Sequence, residues 1–126
     1  MVSSLEGGNM VKAIVTGACG RMGGRIISLL DETQGIELIG AVERKGHPRI
    51  GSDAGEGLGL KTGVIVGDDL MGCIAGGDVV IDFTSHEVSA GHLEIAATMG
   101  KAIVIGSTGF TSPKISRTLP RSESPT

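Results

Sequence analysis

Short apolar runs alternate along the chain with stretches of helical periodicity. Val11–Thr16 (VKAIVT) predicts a first strand. Gly20–Asp31 follows with Met22, Ile26, Ile27, Leu29 and Leu30 at helical spacing, which predicts a helix with these residues on its apolar face. Ile36–Val42 (IELIGAV) predicts a second strand, Arg44–Lys61 is Gly-rich and polar and predicts a loop, and Val64–Val66 predicts a short third strand. Asp68 or Asp69 is placed to cap a short helix running through Ala75. Val79–Phe83 (VVIDF) predicts a fourth strand. Glu87–Met99 predicts a helix with Leu93, Ile95, Ala96 and Met99 apolar, Ser85 as N-cap and Gly100 as its stop. Ala102–Ile105 (AIVI) predicts a fifth strand. Alternation of helices with strands that are mostly apolar implies a parallel α/β sheet covered on both faces, with right-handed crossovers.

Composition narrows the functions open to such a sheet. The 126 residues are a prior for one domain of about 100–150 residues. There are 22 Gly, 2 Phe and no Trp or Tyr, so the core is aliphatic and any mechanism needing a phenol is excluded. Few aromatics also leave no base-stacking platform for single-stranded nucleic acid. The net charge is −3 with no basic stripe, so no nucleic-acid partner is expected. No apolar run approaches the roughly 18 residues of a membrane span, so no membrane partner is expected either. Two cysteines, Cys19 and Cys73, do not make a disulfide framework and fit reduced thiols in the cytoplasm.

The two ends differ from the middle. Residues 1–10 read as a polar leader without the apolar stretch of a signal peptide. Residues 112–126 carry three of the four prolines and much Ser and Thr, and Lys114, Arg117 and Arg121 oppose only Glu123. This Ser/Pro-rich segment is expected to be a disordered or irregular tail, or the altered end of a truncated gene product, which leaves residues 11–111 as the folded domain.

The glycine motif is where chemistry enters. Gly17-Ala18-Cys19-Gly20-Arg21-Met22-Gly23 lies after the first predicted strand and opens the first predicted helix. Backbone N–H groups and the helix dipole at that point bind pyrophosphate, and the glycines permit a tight turn and close packing. Arg21 can add a charged contact to phosphate. Glu43 ends the second strand 20 residues after Gly23, where an acidic residue accepts hydrogen bonds from the adenosine ribose. Arg44, next along, can pair with a ribose 2′-phosphate and stack on adenine, so the pair suits NADH or NADPH. Gly106-Ser107-Thr108-Gly109 follows the fifth strand, and Asp82-Phe83-Thr84-Ser85 ends the fourth, both on the side where a nicotinamide would lie. Phe83 is assigned either to the nicotinamide or to the core. Together these define a Rossmann-type doubly wound sheet. Thr16-Gly17-x-x-Gly20-x-x-Gly23 also fits short-chain dehydrogenases, but their Tyr–Lys pair is impossible in a chain without Tyr.

VTGACGRMGGRI, AVERKGHPRIGSDAGE, VVIDFTS and KAIVIGSTGF, in this order, resemble the N-terminal domain of dihydrodipicolinate reductase, the 4-hydroxy-tetrahydrodipicolinate reductase of lysine and diaminopimelate biosynthesis. The resemblance runs from about Val11 to Thr111, and SDAGE is its most specific part. It implies a homotetrameric, two-domain oxidoreductase whose first domain binds NADH or NADPH. By that resemblance the cofactor contacts are Gly17, Ala18, Cys19, Gly20, Arg21, Met22, Glu43, Arg44, Gly106, Ser107 and Thr108. The family usually carries Thr at Ser107 and a small residue at Cys19. Cys19 is therefore read as a small filler rather than a reactive thiol, although a helix N-terminus can lower a thiol pKa. The family's second domain, which brings the substrate site, the general acid and the tetramer interface, is absent from these residues. No catalytic residue is assigned, and the chain is expected to be about half of the enzyme and inactive alone, with a monomeric state possible. No metal site is expected, because His86 and His92 are six apart, and His47, His86 and His92 are assigned surface or capping roles. The competing reading is a stand-alone nucleotide-sensing module.

Overall fold

The structure is a computed structural model that describes residues 10–106 and 114–116, the side chains of His86 and of 114–116 excepted. The polar leader up to Asn9, Ser107, Thr108 and most of the Ser/Pro-rich tail lie outside the described residues. In chain order the elements are β1 (Val11–Thr16), α1 (Arg21–Glu32), β2 (Ile36–Val42), β3 (Val66–Gly67), α2 (Leu70–Cys73) with a 3-10 turn at Ile74–Gly76, β4 (Val79–Asp82), α3 (His86–Met99), β5 (Ala102–Ile105) and β6 (Lys114–Ser116). The strand order is β3-β2-β1-β4-β5-β6. The first five strands are parallel and β6 pairs antiparallel with β5. The chain is a Rossmann-type α/β sheet.

The middle of the sheet is buried on both faces because its strands are mostly apolar. Ile14 and Val15 are adjacent on β1 and therefore point to opposite sides. Ile14 belongs to a cluster with Leu70, Ile74, Val80, Ala96 and Ile103, under α2 and α3. Val15 belongs to another with Ala18, Ile27, Ala41, Ala54 and Val66, under α1 and the long loop. At about 25 cal/mol per Å² of apolar surface, these two layers supply the main term that opposes chain entropy.

Several expected boundaries move, each for a physical reason. The third strand is Val66–Gly67 rather than Val64–Val66. The Val64 carbonyl accepts the Ala54 N–H (2.7 Å) and Ile65 bridges to Asp53, so that backbone serves the loop and only the next two residues reach β2. On α1 the buried positions are Gly23, Gly24 and Ile27. Met22 and Leu29, expected on the apolar face, are 46% and 52% exposed. Gly23 and Gly24 let the helix backbone lie close on the sheet, and that approach fixes which face is covered. Met99 of α3 is likewise exposed. Ser85 and Asp69 occupy N-cap positions without a side-chain capping bond. Gly100 does stop α3, with φ +70° and the Lys101 N–H donating to the Ala96 carbonyl at 2.8 Å. Within the expected tail, residues 114–116 form β6, since the outer edge of β5 offers free backbone groups to any short extended segment.

The loop after β2 is ordered by one carboxylate. Asp53 accepts the N–H groups of Gly55 (2.7 Å), Thr62 (3.0 Å) and Gly63 (2.8 Å) and the Thr62 hydroxyl (2.8 Å). These bonds, led by the Thr62 and Gly55 amides, hold its pKa far below the usual carboxylate range.

Candidate functional site

The C-terminal ends of β1, β2 and β4 open into a cleft of about 540 Å³, lined among others by Gly17, Gly20, Glu43, Arg44, Phe83 and His92. That volume lies in the range of small-molecule sites. In open parallel sheets ligands bind beyond these strand ends, where successive crossovers diverge. Here β1 has β2 on one side and β4 on the other, so the crevice falls above β1.

The glycine turn leads from β1 to α1. Gly17 has φ +71°, and a Cβ there would stand 2.6 Å from the Phe83 carbonyl oxygen. A Cβ on Gly23 would stand 2.2 Å from the Gly17 oxygen. Only glycine fits either position without moving the backbone. The Gly17 and Ala18 N–H groups both donate to the Val42 carbonyl (2.9 and 3.2 Å), and the Gly20 N–H donates to the Gly17 oxygen (3.1 Å). By helix geometry the N–H groups of Arg21, Met22 and Gly23 find no acceptor within α1. Gly20 brings no capping side chain and the first turn holds no acidic residue, so this end is open to an anion.

Glu43 stands between the turn and β2. One carboxylate oxygen accepts the Cys19 N–H at 2.9 Å and the other the Arg44 N–H at 3.1 Å. Arg44 and Lys45 are exposed on the cleft rim. Cys19 is half-buried, and burial pushes its thiol pKa up; Arg49 opposes this and Glu43 and Glu56 reinforce it. Desolvation is the largest of these influences, so the thiol stays above its ordinary value. Ala18 is buried in the core, and Arg21 and Met22 are exposed on the first turn of α1. Gly106 lies under the Phe83 ring, and its N–H donates to the Asp82 carbonyl at 2.8 Å.

The sequence reading placed Asp82 at the crevice without a role and did not join it to His92. Asp82 is fully buried at the end of β4 and accepts from Thr16, from Thr84 (2.9 Å), from Ser89 and from His92 Nδ1 (2.8 Å). A carboxylate only accepts, so His92 Nδ1 carries the proton of this contact. Burial pushes the Asp82 carboxyl up, but the bonds from His92, Ser89, Thr16 and Thr84 outweigh it and hold it below its usual value. The His92 side chain is 14% exposed and lines the cleft, which corrects the surface or capping role expected for it. The available signal was a lone Asp closing an apolar strand, with Ser89 and His92 three apart on one face of the next helix. His47 is half-buried after β2, its Nδ1 accepting the Arg49 N–H at 3.0 Å.

Strand order, the glycine turn at the divergence of the crossovers and an acidic residue closing β2 define a Rossmann-type dinucleotide-binding domain. The chain belongs to the dihydrodipicolinate reductase family, matching the model of the family's N-terminus over residues 11–122. It is 58% identical over 109 residues to the 4-hydroxy-tetrahydrodipicolinate reductase of Syntrophus aciditrophicus, covering 86% of this chain and 41% of that protein. A dipicolinate-bound dihydrodipicolinate reductase from Paenisporosarcina sp. TG-14 superimposes with TM-score 0.64 at 24% identity, over 81% of this chain and 39% of the other. Aspartate semialdehyde dehydrogenase with NADP from Candida albicans gives 0.62 at 21%, over 79% and 30%, a likeness of fold alone. The chain thus spans about two fifths of the length of the curated relatives it matches.

Proposed function

We propose that residues 11–111 bind NADH or NADPH as the cofactor half of a 4-hydroxy-tetrahydrodipicolinate reductase. One observation carries the reading: the glycine turn, Glu43 with Arg44, and Phe83 beside Gly106 border one cleft at the strand ends. In this reading the pyrophosphate takes the open N-terminus of α1, and Glu43 holds the adenosine ribose. Arg44 meets the adenine or a 2′-phosphate, and Ser107 and Thr108 complete the nicotinamide end. The bound cofactor supplies a hydride for a cyclic imine dicarboxylate. The protein groups position it: Phe83, Val88 and Ile95 give one side of the cleft an apolar wall, and the Asp82 hydrogen bonds fix the strand ends beneath.

These residues alone are proposed to bind cofactor without reducing the dicarboxylate, which needs groups from the remaining length of the relatives. Isothermal titration of the purified chain with NADPH, with an assay of substrate-dependent NADPH oxidation, tests this. Binding without turnover is expected. Absence of binding defeats the cofactor reading, and turnover without added protein defeats the half-enzyme reading.

A further inference from the structure

We propose that Cys19, Glu43 and His47 form a site for a zinc-type divalent cation at the rim of the cleft, and that its occupancy excludes the nucleotide. The thiol, carboxylate and imidazole each bring one donor atom, all within 4.8 Å of one another. They come from the glycine turn, the end of β2 and the turn after it, and the fold gathers them across a sequence gap that hides the grouping. Sulfur, nitrogen and oxygen together suit Zn²⁺, whereas Ca²⁺ and Mg²⁺ take oxygen donors. All three residues are half-buried, so they are partly stripped of water yet open to an ion from solvent.

Glu43 is already oriented, and the His47 ring is held until an ion displaces its contact. Glu43 is held by the Cys19 and Arg44 N–H groups. The His47 ring is held at Nδ1 by the Arg49 N–H. An ion at Nδ1 takes the place of that N–H, and an ion at Nε2 requires the ring proton to move to Nδ1 and the contact to turn away. On binding, the Cys19 S–H bond breaks, its proton passes to solvent and a sulfur–metal bond forms, with no change of oxidation state. Three protein ligands leave a fourth tetrahedral position for water. The exclusion rests on the reading above that the Glu43 carboxylate also receives the ribose, since it cannot serve both.

Cobalt(II), a spectroscopic stand-in for zinc, tests the site on the reduced, metal-stripped chain. One cobalt per chain with a thiolate-to-metal charge-transfer band is expected. The band should vanish in Cys19→Ser and His47→Ala and persist in Cys73→Ser, with circular dichroism confirming that each variant is folded. No band, a band surviving Cys19→Ser or His47→Ala, or a band lost in Cys73→Ser overturns the site. Zinc at ten times its own dissociation constant should then raise the apparent Kd for NADPH about elevenfold, as mutual exclusion requires. An unchanged Kd overturns the exclusion and leaves the metal site standing. Failure of metal-free protein to bind NADPH overturns the cofactor reading and the exclusion with it, while the cobalt band still judges the site.

Discussion

The Glu43 carboxylate accepts the backbone N–H of Cys19 at 2.9 Å, tying the end of β2 to the glycine turn that follows β1. The acidic group proposed to receive the ribose is thus held before any ligand arrives. Its backbone is held too, the Glu43 N–H donating to the Gly67 carbonyl at 2.8 Å. Preorganisation of this kind lowers the cost of ordering the site on binding.

Glu43→Ala should therefore weaken NADH more than NADPH, because the 2′-phosphate supplies its own contacts to Arg44. Arg44→Ala should do the reverse. Each loss is expected at about 1.5–3 kcal/mol, the range for hydrogen bonds to charged groups, or from roughly tenfold to somewhat over a hundredfold in Kd. Isothermal titration of both variants with both cofactors checks this, and identical losses for the two cofactors would remove the assignment.

Gly17→Ala should destabilise the chain and abolish nucleotide binding together. A left-handed φ costs a non-glycine residue about 1–2 kcal/mol, and the 2.6 Å approach to the Phe83 oxygen adds to it. Gly23→Ala should push α1 away from the turn, since its Cβ meets the Gly17 oxygen at 2.2 Å. Thermal melts and NADPH titration of the two variants are the measurement.

Asp82 links stability to pH with a definite sign. Its folded pKa is lowered, while in the unfolded chain it titrates near about 3.9. Its contribution is therefore present above about pH 4 and is lost as the pH falls through the lower folded value. Asp82→Asn should cost on the order of 2–3 kcal/mol at pH 7, because donors then face an amide nitrogen. It should also flatten the loss of stability below pH 4. Urea melts at pH 7, 5, 4 and 3 test both points. Asp53, lowered in the same direction, leaves a residual slope in the variant.

Asp53→Ala should loosen the loop after β2 and spare the sheet. The amides of Gly55, Thr62 and Gly63 lose their acceptor. Hydrogen exchange should quicken at these three amides and stay unchanged at Val15 and Val80.

The sheet was legible because buried parallel strands announce themselves as apolar runs. Both limits of β1, β2 and β5 match the sequence reading. The glycine turn was legible for a related reason, since its spacing is a steric demand. Met22 and Leu29 misled because hydrophobic spacing names an apolar stripe, whereas Gly23 and Gly24 decide which face comes closest. Val64 misled because an apolar residue in extended backbone pairs with whatever lies nearest, here Ala54. The Asp82–His92 contact and the grouping of Cys19 with His47 are tertiary facts. They join residues from separate elements, and no local pattern in the chain announces them.

The Asp82 carboxylate has a consequence for motion. Its donors sit on β1, on α3 and in the link between β4 and α3, so displacing any one of them bares a buried charge. The strand ends beneath the cleft therefore open only when the domain as a whole opens. The exposed turn of Arg44, Lys45 and Gly46 at the rim carries no such buried charge. Seating a nucleotide there orders chiefly the exposed rim side chains, Arg44 and Lys45, because the strand ends beneath are already fixed.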